Sequence, residues 1–292
     1  MANSVPELTS SPIRPAEGLG ERILLYFSRT SEEQRVAGAT GRYTLGNALD
    51  FAHKRIPGFA ELVRGKSIVD FGCGAGWQTV AMHSECGARS VLGIDIEDEL
   101  LEHGRALAER ENCRTRVTFS RQVPQELIGS FDVAISLCSF EHFGDPAAVL
   151  ASMHSLVRPG ALVVISFPEP WWSPHGSHMN DYTKIPWVNV FFREKTVMRF
   201  RSRFRNDGAT RYEDAGGGLN RMTIAKFERT MRSSGMRIEF LKCYPVRGLP
   251  AVARIPLVRE FFTSAATCVL RKPGLETSTQ VVRDDSGYGF IS

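Results

Sequence analysis

This 292-residue chain lacks any apolar run long enough to cross a bilayer, since runs such as residues 161–167 fall far short of the roughly 20 residues that a spanning helix needs. Its amino-terminal residues do not contain the apolar core of a secretory leader. The six cysteines include no CxxC pair, which argues against a zinc ribbon or a thioredoxin-type motif. We therefore expect reduced core thiols and a cytoplasmic protein.

The chain also lacks a strong charge bias, internal repeats and a recognisable nucleic-acid-binding appendage. A net charge of +4 is too small to indicate a nucleic-acid partner, and the 42% apolar and 23% charged residues are typical of a globular protein. We expect one domain over residues 21–272, a flexible lead over 1–20 and a loosely attached tail over 273–292.

Through the middle of the chain, short apolar runs alternate with helical patterns. This alternation predicts an α/β fold with a doubly wound, mostly parallel sheet. The expected strands are residues 67–71, 91–95, 116–120, 131–137, 161–167, 236–244 and 267–271. The expected helices are residues 21–34, 45–56, 76–84, 97–111, 146–156 and 223–233. The alternation stops after the fifth strand, where residues 168–222 form a predicted insertion.

A glycine turn follows the first predicted strand, with glycines at positions 72, 74 and 76. A dinucleotide fold would place its third glycine where this chain has Trp77. Asp70, just before the turn, would repel a pyrophosphate but would attract a sulfonium or ammonium group. Asp95, at the end of the second strand, is placed to accept both ribose hydroxyls. The pattern favours a cationic nucleoside over NAD.

Five motifs in order resemble the class I S-adenosylmethionine-dependent methyltransferases, and within them the small-molecule enzymes of the ubiquinone-biosynthesis type. They are VDFGCGAG at 69–76, GID at 93–95, FDVAIS at 131–136, CSFEHF at 138–143 and LVRPG at 156–160. The resemblance implies a Rossmann-like, seven-stranded sheet whose last strand is antiparallel and lies between its neighbours.

The resemblance implies S-adenosylmethionine as the cofactor. Asp95 would bind the ribose, Ile96 would face the adenine, and Gln122 would replace an acid that the family often has there. Tyr43 would cap the cofactor, although a core tyrosine fits the sequence as well. The full cofactor set is Asp70, Gly72, Cys73, Gly74, Gly76, Asp95, Ile96, Gln122, Leu137 and Tyr43.

A hydroxyl acceptor would need a general base to take its proton. The candidates are Glu141 and His142, after the fourth strand, and His175 and His178 in the insertion, of which His178 is preferred. Family analogy places Glu141 and His142 in the lining of the pocket, and an alternative role for Glu141 is to hold the cofactor or the loop by hydrogen bonds. Four insertion residues are expected to contact the acceptor, namely Trp171, Trp172, His175 and Tyr182.

A metal ion could use the spacing of His175, His178 and Asp181. No second group of ligands accompanies them, however, so we expect no metal and an activity that withstands a chelator.

A basic segment occupies residues 193–211, with seven Lys or Arg and two Asp or Glu. Val197, Phe200 and Phe204 lie at helical spacing, which predicts an amphipathic lid helix with a basic outer face. That face is either simply solvated or attracts an acidic or lipid-linked acceptor or an anionic membrane surface.

The sequence therefore predicts methyl transfer to a small molecule, with a hydroxyl of a natural product, sugar or lipid-linked metabolite as the preferred acceptor. C- or N-methylation is an alternative. Two other classes stay open, namely a non-catalytic regulatory protein that binds S-adenosylmethionine and an NAD-dependent oxidoreductase.

Overall fold

The computed structural model describes residues 16, 18–29, 44–215, 217–249, 251–252, 255–256 and 258–274. A seven-stranded sheet has the strand order β3-β2-β1-β4-β5-β7-β6. Its strands are β1 (Ser67–Phe71), β2 (Ser90–Ile94), β3 (Val117–Ser120), β4 (Phe131–Leu137), β5 (Val157–Pro168), β6 (Arg237–Pro245) and β7 (Thr263–Arg271). The first five strands pair in parallel, while β7 is antiparallel to both β5 and β6. The predicted fold and the position of the last strand are confirmed.

Helices cover both faces of the sheet. They are α1 (Leu19–Tyr26), α2 (Leu45–Ala48), α3 (Asp50–Arg55), α4 (Phe59–Val63), α5 (Trp77–Ser84), α6 (Asp98–Arg110), α7 (Pro146–Leu156), α8 (Val188–Phe191), α9 (Glu194–Arg201) and α10 (Ile224–Arg232). Because side chains alternate along a strand, Ile68 packs under α2–α5 while its neighbour Val69 packs under α7 and α10. Burial on both faces explains the nearly continuous apolar strands.

Several predicted boundaries are wrong, and β7, for example, begins at Thr263 and not at residue 267. Helix α1 ends at Tyr26, well before residue 34, because Ser28 pairs in an antiparallel bridge with Thr183 of the insertion. The helix predicted over residues 45–56 is divided at Leu49 into α2 and α3. Strand β5 begins at Val157, because Val157 already pairs with Phe131 before a bulge.

The insertion has an apolar core of its own, built from Trp171, Tyr182, Phe200 and Tyr212 together with Leu24 of α1. Only residues 194–201 of the basic segment form the predicted helix, α9. The expected basic outer face is also wrong in part. Arg201 is buried against Asp207, and Arg199 and Arg203 pair with the buried Glu21, so three cations point inward.

The predicted lead and tail lie almost wholly outside the described residues, and so does Tyr43. Among the helices that the structure describes, none is both long and apolar enough to pass through a bilayer.

Candidate functional site

The glycine turn lies at the carboxyl end of β1, where the backbone takes left-handed conformations. Gly72, Gly74 and Gly76 have φ values of +71°, +53° and +80°. A Cβ atom on Gly72 would lie 2.5 Å from that of Ser139, whereas one on Gly74 would have no neighbour within 4 Å. Gly76 begins α5 and packs against Phe119. The turn therefore packs tightly at both ends and is open at Gly74, where a ligand could approach the backbone.

Asp70 lies beneath this turn and is only 1% exposed. Its Oδ2 accepts a hydrogen bond of 2.7 Å from the Thr79 hydroxyl. Burial is the main cause that raises the pKa of Asp70 to about 7, and the charge of Asp95 adds to the shift. Among the described residues no cationic side chain forms an ion pair with Asp70. A positively charged ligand would stabilise its ionised form.

Asp95 follows β2 and holds the turn in place. Its Oδ2 accepts from the Gly74 amide at 2.8 Å, and its Oδ1 accepts from the Glu97 amide at 3.1 Å. Each carboxylate oxygen has a second lone pair, so both can still accept a ribose hydroxyl. Ile96, next along the chain, is 73% exposed, which leaves an apolar side chain at the sheet edge for a base to contact.

These features fit S-adenosylmethionine. The buried carboxylate of Asp70 suits its positive charges, the open backbone at Gly74 admits a close ligand, and Asp95 can serve the ribose. Cys73 and Leu137 are buried, and Gln122 is exposed after β3, so their proposed cofactor contacts stay predictions.

The loop after β4 packs directly against the glycine turn. The Ser139 hydroxyl donates to the Phe71 carbonyl at 3.0 Å, which joins the ends of β4 and β1. The returning end of the insertion holds the same loop, because the Asn220 amide nitrogen donates to the carbonyl oxygens of Phe140 and Phe143. The loop is therefore held from both sides.

Three of the predicted catalytic side chains meet at this place. Glu141, His142 and His178 each offer one oxygen or nitrogen atom, and these atoms lie within 4.8 Å of one another. The two imidazole rings meet edge to face, with centroids 5.1 Å apart. Asp181, which the sequence considered as a metal ligand with His178, is not a member of this cluster.

Burial sets the protonation states in the cluster. The pKa of Glu141 is raised to about 8, and the pKa of His142 is lowered, in each case chiefly because burial disfavours the charged form. His142 Nδ1 lies 2.6 Å from the Gly218 carbonyl, so this nitrogen carries the proton and Nε2 has the lone pair. The Oε2 atom of Glu141 is buried and makes no hydrogen bond.

The residues predicted to contact the acceptor take different positions. Trp171 lines a narrow cleft with Glu141 and Glu169, and its ring packs edge to face on Tyr212. Tyr182 stacks on Phe204 within the insertion core, and Trp172 packs against Phe261. The carbonyl oxygen of His175 accepts a hydrogen bond from the backbone amide of His178. Their roles toward an acceptor stay predictions.

Sequence reasoning missed three residues that shape the site. Glu169 Oε2 lies 3.7 Å from His178 Nε2, and its place directly after β5 was an available signal, since acids at strand carboxyl ends often face a ligand. Thr79 lies nine residues after Asp70, on the helix that follows the turn, whereas Asn220 contacts a loop about 80 residues earlier, which no local pattern indicates.

Comparison with known proteins agrees with this geometry. Residues 45–239, more than half of the chain, match the family described as "Methyltransferase domain". A ubiquinone biosynthesis O-methyltransferase of Acinetobacter baumannii is 36% identical over 123 residues, which are 40% of this chain and 48% of that protein. The protein of the same name from Pseudomonas aeruginosa is 38% identical over 35% of this chain and 44% of its own length. The chain therefore matches about half the length of these relatives.

A solved structure extends the likeness in fold. A putative sarcosine dimethylglycine methyltransferase from Galdieria sulphuraria superposes with a TM-score of 0.51 at 12% identity, over 87% of this chain and 98% of that one. The family match, the sheet order and the glycine turn agree. The chain belongs to the class I S-adenosylmethionine-dependent methyltransferases.

Proposed function

We propose that this chain transfers the methyl group of S-adenosylmethionine to a hydroxyl oxygen of a small molecule, such as a natural product, a sugar or a lipid-linked metabolite. The observation that carries this proposal is the convergence of Glu141, His142 and His178 beside the glycine turn. The names of the curated relatives, which are O-methyltransferases, support oxygen as the methylated atom.

The cofactor supplies an activated methyl group when it is bound. The protein's residues must align the acceptor, exclude water and remove the hydroxyl proton. His178 takes that proton, and Glu169, at 3.7 Å, stabilises the imidazolium that results. His142, with its Nδ1–H held by Gly218, presents a fixed Nε2 lone pair and is the alternative base for the same proton.

Glu141 has a positioning role at neutral pH. Because its pKa is raised to about 8, its carboxyl group is mostly protonated there and can donate a hydrogen bond. Its backbone carbonyl also accepts a hydrogen bond of 2.9 Å from the Asn220 amide, which ties the loop after β4 to the insertion.

We place the reaction in the cytoplasm. No disulfide joins the six cysteines, which all lie within the described residues.

The test is a panel of acceptors that carry a hydroxyl, an amine or an activated carbon on related scaffolds. The full chain is incubated with S-adenosylmethionine, S-adenosylhomocysteine is measured, and the methylated atom is identified by NMR. We expect an O-methyl product. An N- or C-methyl product would correct the acceptor atom. Cofactor binding by calorimetry without turnover on any acceptor would indicate a regulatory protein, and tight binding of NAD would indicate an oxidoreductase.

A further inference from the structure

Helix α1 exposes apolar side chains and buries an acid, which is the reverse of an ordinary surface helix. Leu19 and Tyr26 are 73% and 84% exposed, and Ile23 lies between them on the same face. On the opposite face Glu21, the acid of the first turn, is only 3% exposed. A surface helix normally buries its apolar stripe and exposes its charges.

Ion pairs with the insertion explain the inward position of Glu21. Its carboxylate lies 3.4 Å from Arg199 of α9 and 2.7 Å from Arg203. Leu24, also on the buried face, is fully enclosed in the insertion core. These contacts attach α1 to the protein, so the exposed apolar side chains contribute little to folding.

The exposed apolar surface continues onto α8. The ring of Phe192, the residue after α8, lies 3.2 Å from where a Cβ atom on Gly20 would be. The end of α8 therefore packs against α1. Phe191, just before it, is 69% exposed. The surface, which we call the apolar patch, consists of Leu19, Ile23, Tyr26, Phe27, Val190 and Phe191.

Unpaired cations accompany the patch. Arg22 lies on α1 between Leu19 and Ile23, and Arg193 and Lys195 follow Phe191 closely. All three side chains are exposed, and none forms an ion pair with a residue that the structure describes. The cations farther along α9 are instead neutralised by Glu21 and Asp207. Three exposed cations without an ion-pair partner among the described residues therefore lie next to the apolar patch.

The patch is connected to the candidate site. The Phe27 carbonyl accepts from the Lys184 amide at 3.0 Å, and Ser28 pairs with Thr183. Thr183 and Lys184 end a segment that begins just after His178 and contains the short helix Met179–Asp181. A surface bound at α1 would thus lie close to the element that carries a candidate base.

We propose that the apolar patch docks this protein onto the surface of an anionic membrane, with Leu19, Tyr26 and Phe191 inserted at the headgroup level and Arg22, Arg193 and Lys195 against the lipid phosphates. Aromatic and aliphatic side chains flanked by cations are what an interfacial helix presents to such a surface. A protein interface is the alternative occupant, and the test below distinguishes it from a membrane.

The test is flotation of the full chain with vesicles of phosphatidylcholine alone or of phosphatidylcholine and phosphatidylglycerol in equal amounts. We expect binding to the anionic vesicles, weakened by salt. Leu19→Ser with Tyr26→Ser should lower the partition coefficient on the order of tenfold or more. Arg22→Gln with Lys195→Gln should lower it by a similar factor.

Matched controls come from exposed residues elsewhere. Ile128→Ser removes an exposed apolar side chain, and Arg64→Gln with Arg116→Gln removes two exposed cations, so neither should change binding. All variants should keep the wild-type melting temperature.

Absence of binding to the anionic vesicles, or equal binding by the Leu19→Ser, Tyr26→Ser variant, would overturn the proposal. A dimer in sedimentation that this variant dissociates, without vesicle binding, would show that the patch contacts protein instead. The assay contains neither cofactor nor acceptor, so its outcome is separate from that of the methyl-transfer test.

Discussion

The Nδ1 atom of His142 lies 2.6 Å from the carbonyl oxygen of Gly218, a residue 76 positions further along the chain. His142 belongs to the loop after β4, and Gly218 belongs to the returning end of the insertion. The contact fixes the tautomer of the imidazole, and so a segment outside the parallel part of the sheet determines which nitrogen faces the catalytic cluster. The insertion thus sets the tautomer of one member of the candidate site.

Replacing Asp70 should raise the stability of the protein at neutral and higher pH but weaken its binding of the cofactor. The folded-state pKa of about 7 is above the ordinary value of 3.8, so between these two pH values the folded chain holds a proton that the unfolded chain has lost. Wild-type stability therefore falls as pH rises from about 4 to 7. Asp70→Asn should melt at a higher temperature than the wild type, by a margin that grows between about pH 4 and 7 and reaches several degrees by pH 8.

The same variant should bind S-adenosylmethionine more weakly, and the wild type should bind it more tightly as Asp70 ionises above pH 7. Calorimetry and thermal melts at pH 5.5, 7 and 8.5 test both statements. Equal cofactor affinity in Asp70→Asn would remove this carboxylate from the binding site.

Asp95→Ala should weaken cofactor binding by roughly 1–3 kcal/mol, because the ribose hydroxyls would lose their acceptors. Asp98→Ala is the matched control, since Asp98 is an exposed acid nearby whose carboxylate pairs with Arg121. Calorimetry on both variants is the measurement. An unchanged affinity in Asp95→Ala would show that the ribose lies elsewhere.

His178→Ala should lower kcat by on the order of 10²-fold or more while leaving cofactor affinity unchanged, because the variant lacks the proposed base. His103→Ala, an exposed histidine on α6, should keep the full rate. Turnover is followed as S-adenosylhomocysteine formed from a hydroxyl acceptor. A full rate in His178→Ala would exclude it as the base and leave His142 to be tested next.

Gly72→Ala should destabilise the fold by about 2–5 kcal/mol, because it combines a left-handed φ of +71° with a Cβ only 2.5 Å from that of Ser139. Gly74→Ala shares the left-handed conformation but meets nothing within 4 Å, so it should cost about 1–2 kcal/mol. Urea unfolding compares the two. Equal losses would mean that the contact between the turn and the β4 loop is loose.

The parallel sheet and the cofactor turn could be predicted from sequence because each depends on local patterns. A buried strand, a glycine turn and an acid at a strand end are each specified by nearby residues, whereas the place of the last strand was implied by the family resemblance. The helix from Thr223 was predictable for the same reason, and its cap is present, since the Thr223 hydroxyl accepts from the Lys226 amide at 3.1 Å.

The insertion could not be predicted in this way. The basic pattern of residues 193–211 indicated an outward-facing lid, but ion pairs with Glu21 and Asp207 turn three of its arginines inward. Two of them, Arg199 and Arg203, pair with Glu21. Because Glu21 lies far away in the sequence, no local pattern predicts these contacts. Because a buried charge needs a partner, tertiary pairing overrode the helical pattern.

The amino-acid order alone was sufficient for the α/β fold, the family and the cofactor, since all three depend on short-range patterns that repeat along the chain. The grouping of Glu141, His142 and His178, the raised pKa of Asp70 and the apolar patch on α1 appeared only in three dimensions. Each depends on which distant segments exclude water from a given side chain, and burial of that kind is a property of packing.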